Sequence, residues 1–250
     1  MAPPPPDRRM PLLRYLPNSV TIGALCAGLT AIRFAIEGKL PEAVLLIVVA
    51  AMLDGLDGRL ARLLKSESDI GAELDSLVDF VNFGVAPAMV MYIWAFEGQG
   101  GISWLPVLIY AVCCVLRLAR FNVGNRTEGD TREYQHFRGI PSPAGALMVM
   151  LPLYVAFMAP SLPHLASPLI GLYMVLVGGL MISRVPTPSF KSVKVKASHA
   201  RLITLGFIAI AAAISFFPWA TLVVLCLGYA VVLLITIRRL SRGHPHEHQD

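Results

Sequence analysis

Apolar runs of close to 20 residues recur along this chain and constrain its fold more than any other feature. Hydrophobic residues make up 56% of the 250-residue sequence, charged residues make up only 15%, and the mean hydropathy is +0.65. A transmembrane helix needs about 20 consecutive, predominantly apolar residues. Several such runs in one chain are typical of an integral membrane protein. The sequence therefore predicts an all-α fold, a polytopic membrane helical bundle.

Eight transmembrane helices are predicted, with both termini on the cytoplasmic side. This topology places 19 of the 21 Lys and Arg residues on one side of the membrane, all except Arg33 and Lys39. Because cytoplasmic loops carry an excess of Lys and Arg, the asymmetry predicts the orientation. The predicted spans are approximately 17–36, 41–62, 71–96, 102–122, 142–159, 166–183, 202–217 and 219–237.

The two ends of the chain are more polar than its middle. We predict a disordered cytoplasmic lead over 1–15, a membrane domain over 16–200, two additional helices over 201–238 and a disordered tail over 239–250. The histidines of the tail could bind a metal weakly, but a solvated end is the simpler interpretation. The start of the sequence lacks the apolar segment and cleavage site of a signal peptide. The first span is therefore expected to direct membrane insertion.

The distribution of cysteines and basic residues disfavours two other classes of function. The four cysteines lie in apolar runs without paired spacing, which is typical of packing residues rather than of disulfides or a zinc site. The net charge of +5 comes from separate short loops and not from a continuous basic region. We therefore expect no nucleic-acid partner.

Four aspartates interrupt the second and third predicted spans. Asp54 and Asp57 are three residues apart and Asp75 and Asp79 are four apart, so each pair lies on one face of a helix. With a rise of about 1.5 Å per residue, both pairs fall within about 12 Å of the cytoplasmic edge. Ionisable groups at membrane depth are expensive and usually functional. Carboxylates this close need cations, so the pattern predicts one or two Mg²⁺ or Mn²⁺ ions.

Small residues lie beside the aspartates on both helices. Gly58, Ala61 and Gly71 leave the helix surface bare, so that a flat group could approach the backbone. Arg62 could meet a phosphate at the cytoplasmic edge, or it could simply extend its charge to the interface. Interhelical polar contacts or a cation-transport path are the alternative interpretations of the acidic residues. A transporter would need a polar path that continues to the outer face.

The sequence at residues 54–79 resembles the signature of the CDP-alcohol phosphatidyltransferases, D-x2-D-G-x2-A-R-x8-G-x3-D-x3-D. All eight fixed positions are met at the family spacing. The resemblance implies transfer of a phosphatidyl group from a CDP-linked lipid to an alcohol, with release of CMP, at the cytoplasmic face of the inner membrane. It also implies that Asp54, Asp57, Asp75 and Asp79 hold the metal ions. Asp79 would in addition act as the general base on the incoming hydroxyl.

The same resemblance implies contacts to the nucleotide and its phosphates from residues around the aspartates and at the start of the first span. These residues are Asn18, Thr21, Gly58, Ala61, Arg62 and Gly71.

Further segments resemble one branch of the family, the membrane-embedded phosphatidylserine synthases of bacteria and archaea. These segments are 17–21, 82–87, 117–122, 137–144 and 185–191, and the resemblance covers roughly residues 15–195. It implies CDP-diacylglycerol, L-serine and membrane lipids as partners, and a homodimer.

A serine pocket needs a cationic group for the carboxylate and an acceptor for the ammonium group. The residues that could supply this pair are Asn82, Arg120, Arg138 and Ser142. Taken singly, Arg120 could merely mark the membrane edge and Ser142 could belong to a helix-starting turn. Glycerol phosphate or inositol phosphate remains an alternative acceptor for the same chemistry.

Overall fold

A computed structural model describes residues 11–64, 66, 68–126, 139–161, 163, 165–183, 206 and 209–242. Throughout these residues the regular secondary structure is helical and no strand occurs, as the sequence predicts. The chain divides into two compact units, Met1–Glu97 and Gly98–Asp250.

The first unit consists of a helical hairpin and a third, continuous helical stretch. Helix α1 spans Pro11–Ile36 and helix α2 spans Leu40–Leu64. The third stretch is made of α3 at Asp69–Asp79, a π-helical segment at Phe80–Val85 and α4 at Ala86–Ala95. Helix α1 packs against α2, α3 and α4, so it forms the centre of this unit.

Helix α1 begins earlier than the predicted first span, because Pro17 lies inside the helix instead of starting it. A proline removes only its own N–H from the hydrogen-bond ladder and crowds the preceding turn. The preceding residues contain no further helix breaker after Pro11, so the helix can extend on the N-terminal side of Pro17.

The turn between α1 and α2 carries a group of three exposed charges. Glu37 accepts hydrogen bonds from Arg33 Nε and from Lys39 Nζ, both at 2.8 Å. The bonds from Lys39 and Arg33 lower the pKa of the Glu37 carboxyl below its ordinary value of 4.5. Gly38 lies between these residues with a φ of 77°, a conformation that glycine adopts without strain.

The π-helical segment approaches α1 closely at one point. The N–H of Ala86 bonds to the carbonyl of Val81, five residues earlier. Asn82 is fully buried, and its amide oxygen lies directly over Gly28 of α1. A Cβ at position 28 would overlap that oxygen and would lie 3.0 Å from Asn82 Cγ. The absence of a side chain at Gly28 therefore makes room for Asn82.

The second unit is built from five α-helices and two shorter helical segments in the part of the chain that is described. A 3₁₀ turn at Gly101–Trp104 leads into α5, and residues 209–216 form a helical segment before the last helix. The α-helices are α5 at Leu105–Arg126, α6 at Ser142–Val149, α7 at Leu151–Met158, α8 at Ser167–Ile182 and α9 at Pro218–Arg242.

The predicted fifth span, 142–159, is broken at Met150 into α6 and α7. Pro152 at the start of α7 has no N–H, so the helical ladder cannot continue across this point. Other helices satisfy carbonyls near the break. Tyr173 donates its hydroxyl proton to the carbonyl of Met148 at 2.6 Å, and the Cys226 thiol lies 3.4 Å from the carbonyl of Leu147.

Four helical stretches in the described part of the chain are long and apolar enough to cross a membrane. They are Tyr15–Ile36, Asp69–Ala95, Gly101–Val123 and Pro218–Arg238. Helix α2 is 25 residues long, but the charged residues in its C-terminal half make it too polar to qualify by composition alone. Helix α8, at Ser167–Ile182, is apolar but shorter.

Several predictions fall on residues outside the described part. They are Arg138, the first ten residues of the predicted lead, the segment 185–191, residues 202–205, 207 and 208 of the span 202–217, and residues 243–250 of the histidine-containing tail.

Candidate active site

Three of the four predicted aspartates converge in the first unit. Asp54 and Asp57 lie on α2 and Asp75 lies on α3, and each offers a carboxylate oxygen within 4.8 Å of the other two. The spacing of three residues brings Asp54 and Asp57 to one face of α2. Helix α3 brings Asp75 to the same place after a short connection. The predicted convergence of these carboxylates is confirmed.

Asp79 lies next to this cluster, one helical turn beyond Asp75 at the end of α3. Its side chain is a neighbour of the Asp54 carboxyl group. The π-helical segment starts at the following residue, Phe80. Single π turns inside α-helices are frequent at functional sites, where they reorient side chains. The fourth aspartate thus adjoins the three-carboxylate cluster through Asp54.

The Asp57 carboxylate is the most buried of the cluster, with an exposed fraction of 3%. Its Oδ2 accepts a hydrogen bond of 2.6 Å from the hydroxyl of Thr21 on α1. Its Oδ1 is buried without a hydrogen-bond partner among the described residues. An unpaired buried oxygen is costly, which makes this atom a natural ligand for a cation.

The charges of the cluster fit a divalent cation. Two unit charges about 4 Å apart repel by about 4 kcal/mol near a protein surface, so three ionised carboxylates at this spacing oppose one another strongly. Within the described residues, Asp54, Asp57 and Asp75 form no ion pair with a Lys or Arg. Hard ions such as Mg²⁺ and Mn²⁺ prefer oxygen ligands of this kind. The three aspartates could therefore hold a metal ion.

The predicted nucleotide-contacting residues lie in the same unit. A Cβ at Gly58 would meet nothing within 4 Å, so the surface of α2 is open there. Gly71 is more enclosed, because a Cβ there would lie 3.1 Å from Ser68 Oγ and 3.2 Å from Asn18 Oδ1. Ser68 caps α3 by accepting a hydrogen bond from the N–H of Gly71. The side chain of Asn18 is thus placed against the first turn of α3.

Ala61 and Arg62 lie one turn further along α2. Ala61 is half-buried and Arg62 is exposed. The Arg62 Nε donates to the carbonyl of Gly58 at 3.0 Å, so the guanidinium lies along its own helix. The predicted contacts with a nucleotide stay predictions for all six residues: Asn18, Thr21, Gly58, Ala61, Arg62 and Gly71.

The predicted serine-binding residues are distributed over both units, and each is described within its own. Asn82 lies in the π-helical segment, fully buried, with no partner for its amide among the described residues. In the second unit Ser142 begins α6 and is 1% exposed. Arg117 on α5 donates to Ser142 Oγ at 2.8 Å. Arg120 is exposed and donates to the carbonyl of Ile182 at 2.9 Å, where α8 ends.

Three contacts were not predicted from the sequence: Thr21 with Asp57, Arg117 with Ser142, and Asn82 with Gly28. Each joins residues that are far apart in the chain, so spacing within a helix carries no signal for them. The only available hint was that Thr21, Arg117 and Asn82 are polar residues within apolar runs.

The apolar helices and the acidic cluster on two consecutive helices agree with a comparison of the sequence with known protein families. A sequence model described as CDP-alcohol phosphatidyltransferase matches residues 14–185, and the chain belongs to this family. The family resemblance found from the aspartate signature is confirmed.

Curated relatives narrow the match further. The chain is 39% identical over 251 residues to a protein of Mycobacterium leprae named CDP-diacylglycerol–serine O-phosphatidyltransferase, covering 98% of this chain and 83% of that protein. Proteins with the same name from Bacillus subtilis and Methanocaldococcus jannaschii are 35% and 33% identical, covering 93% and 81% of their own lengths. The match therefore extends across bacteria and archaea.

Proposed function

We propose that this protein transfers the phosphatidyl group of CDP-diacylglycerol to the hydroxyl of L-serine, giving phosphatidylserine and CMP. The convergence of Asp54, Asp57 and Asp75 within 4.8 Å carries the proposal, because this chemistry needs a compact anionic site for cations. The shared name of the bacterial and archaeal relatives supports serine as the acceptor.

The reaction is a displacement at the phosphorus atom of the phosphatidyl group. The serine hydroxyl oxygen forms a new bond to this phosphorus, and the bond between phosphorus and the oxygen of CMP breaks, so CMP leaves with the electron pair. Asp54, Asp57 and Asp75, with Asp79 beside them, would hold one or two Mg²⁺ or Mn²⁺ ions. When bound, the ions neutralise the pyrophosphate and stabilise the charge that develops on the leaving group.

Asp79 is proposed as the general base. Its carboxyl lies next to Asp54 at the edge of the three-carboxylate cluster, so it is close to the proposed cation site without being one of the three converging ligands. A carboxylate in hydrogen-bond reach of the acceptor accepts the hydroxyl proton as the oxygen attacks.

The nucleotide end of the lipid is proposed to lie along α2 and the start of α3. Gly58 leaves an open helix surface there. Arg62 lies one turn beyond Gly58 on α2, and the side chain of Asn18 lies against Gly71. For the acceptor, Asn82, Arg120, Arg138 and Ser142 remain the proposed serine contacts. The hydrogen bond from Arg117 adds a guanidinium beside Ser142.

An acceptor panel tests the proposed function. The full chain is purified in detergent, and CMP release from CDP-diacylglycerol is measured with L-serine, glycerol 3-phosphate, inositol phosphate or no acceptor. Each reaction is run with Mn²⁺, with Mg²⁺ and with EDTA. We expect release that needs both L-serine and a divalent ion. Release with a phosphorylated acceptor but not with serine would contradict the acceptor, and activity in EDTA would contradict the metal.

We further propose a multi-pass topology of eight spans in the cytoplasmic membrane, with both termini and the aspartates at the cytoplasmic face. The four apolar helical stretches support a membrane location, and the distribution of basic residues supports the orientation. The division into a family domain at 16–200 and two further helices at 201–238 is part of this proposal, as is a homodimer.

Cysteine labelling in intact cells tests the orientation. Single cysteines are placed at Gly100 and Ser161, and separately at Lys65, Thr127 and Lys194, in a variant whose four natural cysteines are replaced by serine. A membrane-impermeant maleimide should label the first two positions and should label the other three only after cell lysis. The opposite pattern would contradict the cytoplasmic placement of the active site.

A further inference from the structure

Thr21 is a buried hydroxyl residue at the contact between α1 and the acidic cluster. It is 5% exposed, and its Oγ1 lies 2.6 Å from Asp57 Oδ2 and 3.1 Å from the carbonyl of Pro17. A hydroxyl has one proton, so it can donate to only one of these two oxygens.

The Asp57 carboxylate is the better acceptor. In an α-helix the carbonyl of residue 17 already accepts the N–H of residue 21, so Pro17 does not need the hydroxyl. Hydrogen bonds to an ionised acceptor are shorter and stronger than those to a neutral one, in agreement with the two distances. The proton of Thr21 is therefore committed to Asp57.

The consequence lies at the other oxygen of Asp57. With Oδ2 bound to Thr21, Oδ1 is left buried and without a partner among the described residues, in the carboxylate that converges with Asp54 and Asp75. A hydrogen bond to one carboxylate oxygen restricts the rotation of the whole group. Groups that hold a metal-binding side chain in this way determine how well the site is preorganised.

We propose that Thr21 is a positioning residue of the cation site: its hydroxyl orients the Asp57 carboxylate so that Oδ1 is presented to the metal ion. The proposal rests on the proposed cation-assisted transfer, since it assigns a function to a residue behind one of the metal ligands. Thr21 acts through Asp57 and does not itself touch the reacting atoms.

Direct metal binding tests this proposal without relying on turnover. The full chain in detergent is stripped of metal with EDTA, and Mn²⁺ is titrated while free Mn²⁺ is measured by electron paramagnetic resonance. Loss of such a supporting hydrogen bond typically weakens metal affinity by about 10–100-fold. We expect this loss in Thr21→Val, which keeps the shape of the side chain, and near wild-type affinity in Thr21→Ser, which keeps the hydroxyl.

Thr30 provides a matched control on the same helix. Its hydroxyl donates to the carbonyl of Cys26 at 2.6 Å, within α1, and not to a carboxylate. Thr30→Val should bind Mn²⁺ like the wild type. The thermal unfolding midpoint of each metal-free variant shows whether it is folded, and Thr21→Ala compared with Thr21→Ser gives the same test if the valine variant does not fold.

The outcomes separate the proposal from the function on which it rests. Wild-type affinity in Thr21→Val, together with weakened binding in Asp57→Asn, would overturn the role of Thr21. Equal weakening in Thr21→Ser and Thr21→Val would also overturn it, because the hydroxyl would not be the cause. A wild-type protein that binds no Mn²⁺ would overturn both this proposal and the cation site. The acceptor panel measures CMP release and the test of Thr21 measures Mn²⁺ affinity. If serine is not the acceptor, the Mn²⁺ affinities of the variants therefore still decide the role of Thr21.

Discussion

Acidic side chains occur at both ends of the α1–α2 hairpin, but their negative charge is balanced in different ways. At the turn, Glu37 is exposed and bonds to two cations of the chain itself, Arg33 and Lys39. About 25 Å further along α2, at about 1.5 Å per residue, Asp54 and Asp57 meet Asp75 instead of a Lys or Arg among the described residues.

This difference distinguishes an acidic residue that is paired within the chain from acidic residues that need a bound cation. Glu37 needs nothing from outside the chain, and exposed ion pairs of this kind contribute little to stability. The aspartate cluster concentrates like charge where burial makes repulsion costly, and it leaves an Asp57 oxygen unpartnered within the described part of the chain. A cation from solution would balance the charge of the aspartate cluster. We therefore expect substitutions in the cluster to change activity strongly, and substitutions at the turn to change activity and stability little.

The largest expected effect is that of Asp57→Asn at the cluster. The change is nearly isosteric but removes a charge that the cation needs. Because metal stabilisation of the transition state is worth several kcal/mol, CMP release should fall by at least about 10³-fold. Asp54→Asn and Asp75→Asn should behave alike, measured with saturating CDP-diacylglycerol and serine.

Asp69→Asn is the matched control, since Asp69 is an exposed acidic residue in the first turn of α3. It should retain nearly full activity. Near wild-type turnover of Asp57→Asn at low Mn²⁺ would contradict the view that the aspartate cluster, unlike the turn, depends on a bound cation.

A somewhat smaller effect is expected for Asp79→Asn. As a general base Asp79 contributes about 10²–10⁴-fold to the rate, while the other three aspartates still hold the metal. Serine-dependent turnover should fall far more than affinity for CDP-diacylglycerol, with both measured on the same preparation. Parallel loss of both would make Asp79 chiefly a metal ligand.

Gly28→Ala tests the packing that holds the π-helical segment against α1, between the two ends. The new methyl group would overlap the Asn82 amide, and overpacking of this kind costs about 1–3 kcal/mol. Gly23→Ala on the same helix meets nothing within 4 Å and should be neutral or stabilising by up to about 1 kcal/mol. Thermal unfolding midpoints in detergent compare the two, and equal midpoints would argue against the tight contact at Gly28.

The smallest effect is expected for Glu37→Gln at the turn. Activity and the thermal midpoint should both be unchanged within error, because the ion pairs lie at the surface. The pKa of Glu37 is lowered by Lys39 and Arg33, so any contribution is complete above its ordinary value of 4.5 and is lost only as the pH falls through the lower, folded value. Stability measured between pH 6 and 8 should therefore not depend on this group. A clear change in that range would mean that the turn has a larger role than its exposure indicates.

The sequence predicted the local geometry of the acidic cluster well. Spacings of three and four residues determine which side chains share a helix face, and a short connection places α2 and α3 side by side. The convergence of Asp54, Asp57 and Asp75 follows from these two facts alone. The all-helical fold follows in the same way from the apolar runs.

The irregular features could not be predicted in this way. A π-helical segment at Phe80–Val85 has the same hydrophobic pattern as an α-helix, so periodicity cannot distinguish them. The break at Met150 depends on Pro152, but a proline near a helix can start, kink or end it, as Pro17 inside α1 illustrates. Contacts such as Thr21 with Asp57 join separate helices and need the packed structure.

The contact between Gly28 and Asn82 also has a consequence for the variation that this chain tolerates. A side chain at position 28 and a long amide at position 82 occupy the same space, so neither position can vary freely while the other is fixed. Asn82→Ser would vacate that space and should make Gly28→Ala harmless to folding. The two positions are then expected to change as a pair, and relatives with serine at the position of Asn82 should be those that accept alanine at the position of Gly28.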